Sequence, residues 1–496
     1  MERKRNYKET KTSSPTEKVK VLDYDIDFEQ IAYDAFTAYI DNFYTHDEEE
    51  DVWRFGGFWT GAETFEIVID AYEHTGDARY KEMIDQIYEG FTKDYKHQEV
   101  EGWWGGNDYN DDLMWITIAC ARSYLATEDT KYLATAKVNF DNTYARAWSD
   151  ELGGGLFWRA DNKTKNACVN GPGAIAACFL GEALDDESYF EKAKNILEWE
   201  REVLFDPVTG HIDDNVGLNG GRNSWASTYN QGTFIGASCL LYDHYGKEKY
   251  LSDAVLAADY TMIDMYHYGV MNNEESGEDL PGFKGIFTRW LNDLIVNHNQ
   301  PQYIDWMQYN ARTAWNNRNS AGITKTQWGK KTEDSESPSS WDASAATALY
   351  QNTPNSKDLI RSAFHPIPAK DFDSVRNITI KTENGMKYVG DIKNGAYTVY
   401  HNVDFGNIAP EAVEFQVFLE VAGGSIELHV KSQKGEPAAV LDVTKAQNAN
   451  KAINNWTNQA TKMTTKVTGL QTVYLVYKTE ESQSYKLNFF RFLAEN

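Results

Sequence analysis

Gly76-Asp77-Ala78-Arg79-Tyr80, Glu128-Asp129-Thr130-Lys131-Tyr132, Asp185-Asp186-Glu187-Ser188-Tyr189 and Gly246-Lys247-Glu248-Lys249-Tyr250 are four versions of one phrase, and Gln300-Pro301-Gln302-Tyr303 is a fifth. Their tyrosines are spaced 52, 57, 61 and 53 residues apart, which reads as one helical hairpin per interval. Counting apolar periods predicts about twelve helices: roughly 28–44, 60–74, 78–93, 110–126, 130–143, 171–185, 187–202, 229–245, 248–265, 283–297, 302–317 and 341–351. Twelve helices make six hairpins. The turns carrying the phrase are short, whereas the connections 94–109, 144–170, 203–228, 266–282 and 318–340 are long and rich in Gly, Trp, Asn and Asp. In an alternating toroid the long loops share one end and form a binding face there.

Asn107-Asp108-Tyr109-Asn110-Asp111-Asp112-Leu113-Met114-Trp115 stands where one such loop enters an inner helix. Asn110 suits an N-cap, which makes Asp111 and Asp112 the first two helical residues. Adjacent α-carbons are about 3.8 Å apart, and successive helical side chains diverge by about 100°. Both carboxylates can therefore reach one cavity, where ionising one raises the pKa of the other. One carboxylate beside one carboxylic acid is the pair a glycosidase uses. Acids in a first turn also offset the helix dipole without doing chemistry, so the surroundings have to decide.

A net charge of −27 over 496 residues argues against nucleic acid or an anionic membrane as partner. The length and the 41% hydrophobic content support two or three domains. Aromatics reach 14%, with 15 Trp and 30 Tyr, which suits sugar-stacking platforms and also tight helical packing. Cys120, Cys168, Cys178 and Cys239 lack metal-ligand spacing and read as buried free thiols. No apolar run approaches the length needed to span a bilayer. Residues 1–26 read as a disordered or extended N-terminal segment, with no signal peptide visible.

Asn110-Asp111-Asp112-Leu113-Met114-Trp115, followed by Gly153-Gly154-Gly155-Leu156-Phe157-Trp158, Lys165-Asn166-Ala167, Ser227-Thr228-Tyr229-Asn230-Gln231-Gly232 and Gly282-Phe283-Lys284-Gly285-Ile286-Phe287, resembles glycoside hydrolase family 76 over residues 27–351. The resemblance implies an all-α (α/α)6 toroid and endo-acting hydrolysis of α-1,6-linked mannan or manno-oligosaccharides with retention. It implies Asp111 as nucleophile and Asp112 as general acid/base, Trp115 lining the sugar subsite and Asp214 contacting the mannose beside the cleaved bond. Retention needs the two carboxyl groups about 5–5.5 Å apart, within reach of neighbouring residues, and no cofactor or metal. This chain has Trp59-Thr60-Gly61 where the family often shows Gln-Asn after the Trp, and Cys168-Val169-Asn170-Gly171-Pro172-Gly173 brings in helix-breaking residues.

Trp103, Trp104 and Asn107 precede the acidic pair and are candidates for substrate binding, with loop packing as the alternative for the two indoles. Tyr229 and Gln231 begin another inner helix and are candidates for the cleft wall, against capping and core. Trp225 suits stacking or a wedge between hairpins. His211, His267 and His298 read as structural, and Asp342 as a dipole partner.

After a 352–366 linker or strap, alternation replaces helical period, as in Val413-Glu414-Phe415-Gln416-Val417-Phe418-Leu419 and Val473-Tyr474-Leu475-Val476-Tyr477. Gly395-Ala396-Tyr397-Thr398-Val399-Tyr400 and Leu487-Asn488-Phe489-Phe490-Arg491-Phe492 resemble carbohydrate-binding module family 6, implying an all-β jelly-roll sandwich over 367–496. Lys486 stands at the loop position where that family carries a sugar-binding Asn, and Pro368 and Lys370 replace its calcium-holding acids. Tyr397 and Trp456 are the candidates for an aromatic clamp. The resulting expectation is a monomeric, secreted or cell-surface enzyme. The alternatives are an inverting hydrolase or a lyase on another glycan, and a glycan-binding or transglycosylating protein without net hydrolysis.

Overall fold

A computed structural model describes residues 27–49, 51–54, 56–95, 100–267, 270–274, 279–355, 361–364, 366–383, 386–421, 424–443, 456–479 and 484–494. The segment 1–26 lies outside them.

The helices are α1 (Phe28–Phe43), α2 (Trp59–Thr75), α3 (Ala78–Asp94), α4 (Asn110–Thr127), α5 (Thr130–Ala147), α6 (Ala167–Leu184), α7 (Glu187–Val203), α8 (Thr228–Tyr245), α9 (Glu248–Asp264), α10 (Phe283–Val296), α11 (Ile304–Asn316) and α12 (Ser340–Gln351). The even-numbered helices touch in a closed cycle: α2 packs on α4, α4 on α6, α6 on α8, α8 on α10, α10 on α12 and α12 on α2. The odd-numbered ones pack outside, α3 on α2, α5 on α4, α7 on α6, α9 on α8 and α1 on α12.

The repeated phrase has two physical functions. Its Asp is an N-cap: Asp77, Asp129 and Asp186 each accept a backbone N–H two residues on, from Arg79, Lys131 and Ser188. Its Tyr is buried, and its hydroxyl donates to an acid of the preceding outer helix: Tyr132 to Asp85, Tyr189 to Asp141 at 2.9 Å, Tyr250 to Glu198 at 2.7 Å and Tyr303 to Asp259 at 2.9 Å. Four of the five repeats thus tie their hairpin to the one before it.

Inside the cycle the helices bury polar and charged side chains among the apolar ones, and one cluster of those charges is paired. Arg122 of α4 meets Glu66, Asp70 and Glu73, and Arg289 of α10 meets Glu63, Glu66 and Asp70. Asn352 adds a bond to Asp70 at 3.1 Å. Against the burial that raises it, the Arg289 and Arg122 charges hold the Asp70 carboxyl down at about 2. Such pairs contribute little net stability but are costly to break singly.

Two expectations are corrected here. α6 begins at Ala167, four residues earlier than predicted, and holds Pro172 in its second turn. Gly171 and Gly173, read as breakers, are there because a Cβ would lie 2.5 Å from Thr233 Oγ1 and 2.6 Å from a Leu156 methyl. The same helix is long and apolar enough to cross a membrane by composition, but 78% of it is buried within the domain, as suits a core helix. All four cysteines are buried thiols.

The C-terminal unit is a β-sandwich. Its strands are β1 (Ser374–Arg376), β2 (Thr379–Glu383), β3 (Met386–Gly390), β4 (Ala396–Asp404), β5 (Ala412–Val421), β6 (Ser425–Val430), β7 (Ala439–Asp442), β8 (Trp456–Lys462), β9 (Leu470–Lys478) and β10 (Ser484–Leu493). One antiparallel sheet runs β1-β4-β9-β6-β7 and the other β2-β3-β10-β5-β8. Alternate residues of both, among them Tyr400, Leu475, Phe415 and Phe490, fill the space between. The predicted linker is only partly one. Asn352 and Pro354 bind back to the helical domain, while Arg361–Ser362 pairs in parallel with β4. Arg361 is buried there because Asp373 and two backbone carbonyls take its guanidinium.

Candidate active site

Asn110 does not cap α4 with its side chain. It is the first helical residue and is buried, its Nδ2–H donating to Phe157 O at 2.8 Å and its Oδ1 accepting from Arg146 Nε at 2.8 Å. Pinning the start of α4 to the 144–170 connection in this way leaves the next two side chains free to line the cleft. Arg146 also donates to Gly105 O and Asn107 O, so one guanidinium fixes the whole approach loop.

Asp111 and Asp112 line one cleft of about 560 Å³, together with Trp59, Tyr109, Trp115, Trp158, Asn166, Cys168, Asp214, Asn215, Tyr229, Asp279 and Phe283. Asp111 Oδ2 accepts from Trp158 Nε1 at 3.0 Å and from Cys168 Sγ at 3.4 Å, while its Oδ1 is buried without a hydrogen-bond partner. Asp112 Oδ2 accepts from Asn107 Nδ2 at 2.8 Å. Burial, then the Asp112 charge, pushes the Asp111 carboxyl well above its ordinary value despite the Trp158 and Cys168 donors. Burial also pushes Asp112 up to about 6, with Asn107 pulling it down and the Asp279 charge adding to the rise. Two adjacent acids that both resist ionisation titrate as a pair and hold a proton into the neutral range.

The aromatic wall is continuous. Tyr229 stacks on Phe283 with centroids 3.7 Å apart and on Trp115 at 6.2 Å, and Trp59 tilts against Trp115 and Phe283. Asp214 Oδ2 accepts from Asn215 Nδ2 at 2.6 Å and Asn223 Nδ2 at 3.0 Å, and burial raises its carboxyl.

Of the residues singled out from sequence, the fold brings Asp111, Asp112, Trp115, Asp214 and Tyr229 to this cleft, with Asn107 bonded to Asp112 behind it. Three others lie elsewhere. Trp104 is buried on Phe58 and Phe91, its Nε1 donating to Tyr95 O at 2.7 Å. The Trp103 ring folds over Gly105, where a Cβ would come within 2.3 Å of it. Gln231 is buried and spans Ile212 N, Gly210 O and Ala257 O. Its work is to hold the loop that carries Asp214. Trp225 is 42% exposed.

Asp342 forms a capping box with Ser339. The side chain of His267 is outside the described residues, and His211 and His298 are held by Tyr260 and Asp243. Trp59, Trp158, Cys168, Asp279 and Phe283 reach the cleft from distant segments, and none of them is among the residues expected from the sequence to bind substrate or do chemistry.

In the sandwich, Tyr397 and Trp456 stand on different sheets. Trp456 meets Tyr388 and Phe418 instead, at 5.5 and 5.6 Å, because β8 is the edge strand beside β5. Lys486 lies in a strand and sets its ammonium over Phe418 and Tyr388 at 4.7 and 4.9 Å. Lys370 pairs with Asp371, so this position does not suit a calcium ion.

The family model of glycosyl hydrolase family 76 matches residues 27–361. The chain belongs to glycosyl hydrolase family 76. Carbohydrate binding module (family 6) matches residues 368–494, so the family 76 domain is followed by a module of that kind. The chain is similar to mannan endo-1,6-alpha-mannosidase DCW1 of Candida glabrata, 27% identical over 236 residues, and to that of Saccharomyces cerevisiae, 25% over 238 residues. Each match covers 42% of this chain and 51% of the relative, so the chain spans about half the length of these yeast proteins. Among solved structures, the GH76A alpha-1,6-mannanase from Salegentibacter sp. HEL1_6 is 30% identical with a TM-score of 0.60, over 66% of this chain and 99% of that one. An inactive variant of that family 76 enzyme, with two consecutive aspartates changed to alanine, was solved in complex with alpha-1,6-mannotetrose.

Proposed function

We propose that this chain is a retaining, endo-acting glycoside hydrolase that cleaves α-1,6-mannosidic bonds in mannan, with Asp111 as nucleophile and Asp112 as general acid/base. One observation carries the proposal: two consecutive carboxyl groups, both held toward the protonated state, line one aromatic-walled cleft. The relative inactivated at two consecutive aspartates supports the same pair.

Asp112 protonates the departing glycosidic oxygen as the Asp111 carboxylate attacks the anomeric carbon. The resulting glycosyl-enzyme is then opened by a water that Asp112, now basic, deprotonates. The rise at Asp111 runs against a resting nucleophile, which must be ionised. Two features restore the order: Trp158 and Cys168 donate to Oδ2 and favour its charged form, and positive charge developing at the anomeric carbon lowers the Asp111 pKa in the transition state. In this reading Trp115 and Tyr229 supply the apolar wall for the sugar and Asp214 accepts from mannose hydroxyls, in keeping with their shared place in the cleft lining.

The closed cycle of inner helices supports an (α/α)6 toroid, and the two facing sheets support a jelly roll. In this reading the module holds a monomeric enzyme on polysaccharide outside the cell, in keeping with its match to carbohydrate binding module (family 6). Incubation with linear α-1,6-mannan tests the activity. Mannobiose and longer oligomers are expected. Elongated products, or binding without products, contradict the proposal.

A further inference from the structure

Asp279 enters the cleft from the side across the helix cycle from Asp112. It precedes the single 3-10 turn Leu280–Gly282 that leads into α10, whereas Asp112 opens α4. Two indoles fix it. Trp59 Nε1–H donates to its Oδ1 at 3.0 Å, and Trp341 Nε1–H donates to its carbonyl at 2.8 Å. These two rings pack edge to face at 4.6 Å, and Trp59 itself lines the cleft. The carboxylate is therefore held in place by the starts of α2 and α12.

No lysine, arginine or histidine lines the cleft among the described residues, so no cation of its wall offsets a negative charge placed there. The titratable groups facing Asp112 are Asp111 on its own helix, the Tyr95 phenol from the end of α3, and Asp279. Farther along the wall stand Tyr109, Cys168, Asp214 and Tyr229. The cations of that quarter are turned elsewhere, Arg146 to the carbonyls of Gly105 and Asn107, and Arg159 to the Tyr109 ring and Asp108. Among the described residues, Asp279 is thus the fixed carboxylate of the wall, other than the catalytic neighbour, whose charge bears on Asp112.

We propose that Asp279 is a positioning residue that keeps Asp112 in its acid form until the glycosidic oxygen takes the proton. A like charge across a cation-free cleft opposes loss of the Asp112 proton, and burial supplies the larger part of the same effect. At the step itself the proton moves from the Asp112 carboxyl to the glycosidic oxygen as the C–O bond breaks. This inference rests on the acid role given to Asp112 above.

The test compares kcat/KM against pH on α-1,6-mannotetraose for the full chain, Asp279→Asn, Asp279→Glu and Trp59→Phe. The alkaline limb should move to lower pH by on the order of one unit in Asp279→Asn, return in Asp279→Glu, and stay in place in Trp59→Phe, which removes the indole bond and keeps the charge. An alkaline limb that Asp279→Asn leaves unmoved, or that Trp59→Phe shifts as far, overturns the inference. A readout independent of turnover is the 13C-carboxyl titration of Asp112, its signal identified by its loss in Asp112→Asn. It should titrate at lower pH in Asp279→Asn. A chain inert on α-1,6-mannan refutes the proposed activity, whereas an unmoved Asp112 titration refutes this inference alone.

Discussion

Trp158→Phe is the substitution that bears most closely on the chemistry, because it removes one N–H from Asp111 and keeps an aromatic ring in the wall. The indole bond to Oδ2 is 3.0 Å long, and the other donor to that oxygen is the thiol of Cys168 at 3.4 Å, a weaker partner. A hydrogen bond to a charged group contributes about 1.5–3 kcal/mol, nearly all of it to the ionised form. Losing it should raise the Asp111 pKa by about one to two units. The sign follows directly: a nucleophile with a higher pKa stays protonated, and so idle, up to a higher pH. The acid limb of kcat/KM should shift upward by about one to two pH units, and activity on that limb should fall by about ten- to a hundredfold. The assay is initial hydrolysis of α-1,6-mannotetraose between about pH 4 and pH 9, with thermal melts to show that Trp158→Phe still folds. A folded Trp158→Phe protein with an unmoved acid limb and a rate within about twofold of the parent would refute the assignment of Asp111.

Asp111→Asn and Asp112→Asn should each lower kcat by about a thousandfold or more while leaving the melting temperature unchanged or higher, since each removes a carboxyl that burial disfavours; calorimetry and reducing-end release check both. Burial pushes Glu274 up to about 7 against the two donors of Thr228, so the stability it brings is full below its ordinary 4.5 and is lost as pH rises through about 7. Urea unfolding should therefore show that Glu274→Gln loses less stability than the parent between pH 5 and pH 8, by about 3 kcal/mol. Tyr250→Phe removes the 2.7 Å bond to Glu198 and should cost about 1.5 kcal/mol. Its cost should add to that of Tyr303→Phe, which serves a different hairpin.

The sequence carried the helices because the outer ones are amphipathic and α3, α5 and α7 start on an Asp cap followed by a buried Tyr, so period and phrase agreed to within a few residues at most boundaries. It misplaced the start of α6 because Gly-Pro-Gly reads locally as a break, while the neighbours Thr233 and Leu156 that require those glycines are fixed only by packing. Asp111 and Asp112 were legible since adjacency in the chain is adjacency in space. Trp158 and Asp279 were not, because 47 and 168 residues separate them from Asp111. Arg146 left no signal at all, being one of many outer-helix cations. Trp104 and Gln231 were assigned to the cleft on residue type, which does not separate a ring or amide that meets sugar from one that meets backbone. In the sandwich, alternation located the strands but not their order, and the order is what parts Tyr397 from Trp456.

The central claim is that two neighbouring carboxyl groups cut α-1,6-mannan through a covalent intermediate. Proton NMR of the first reducing ends released from linear α-1,6-mannan tests it most directly. The α-anomer should appear first and the β-anomer only by later mutarotation, with no release from Asp111→Asn. The β-anomer appearing first, or undiminished release from Asp111→Asn, would contradict it.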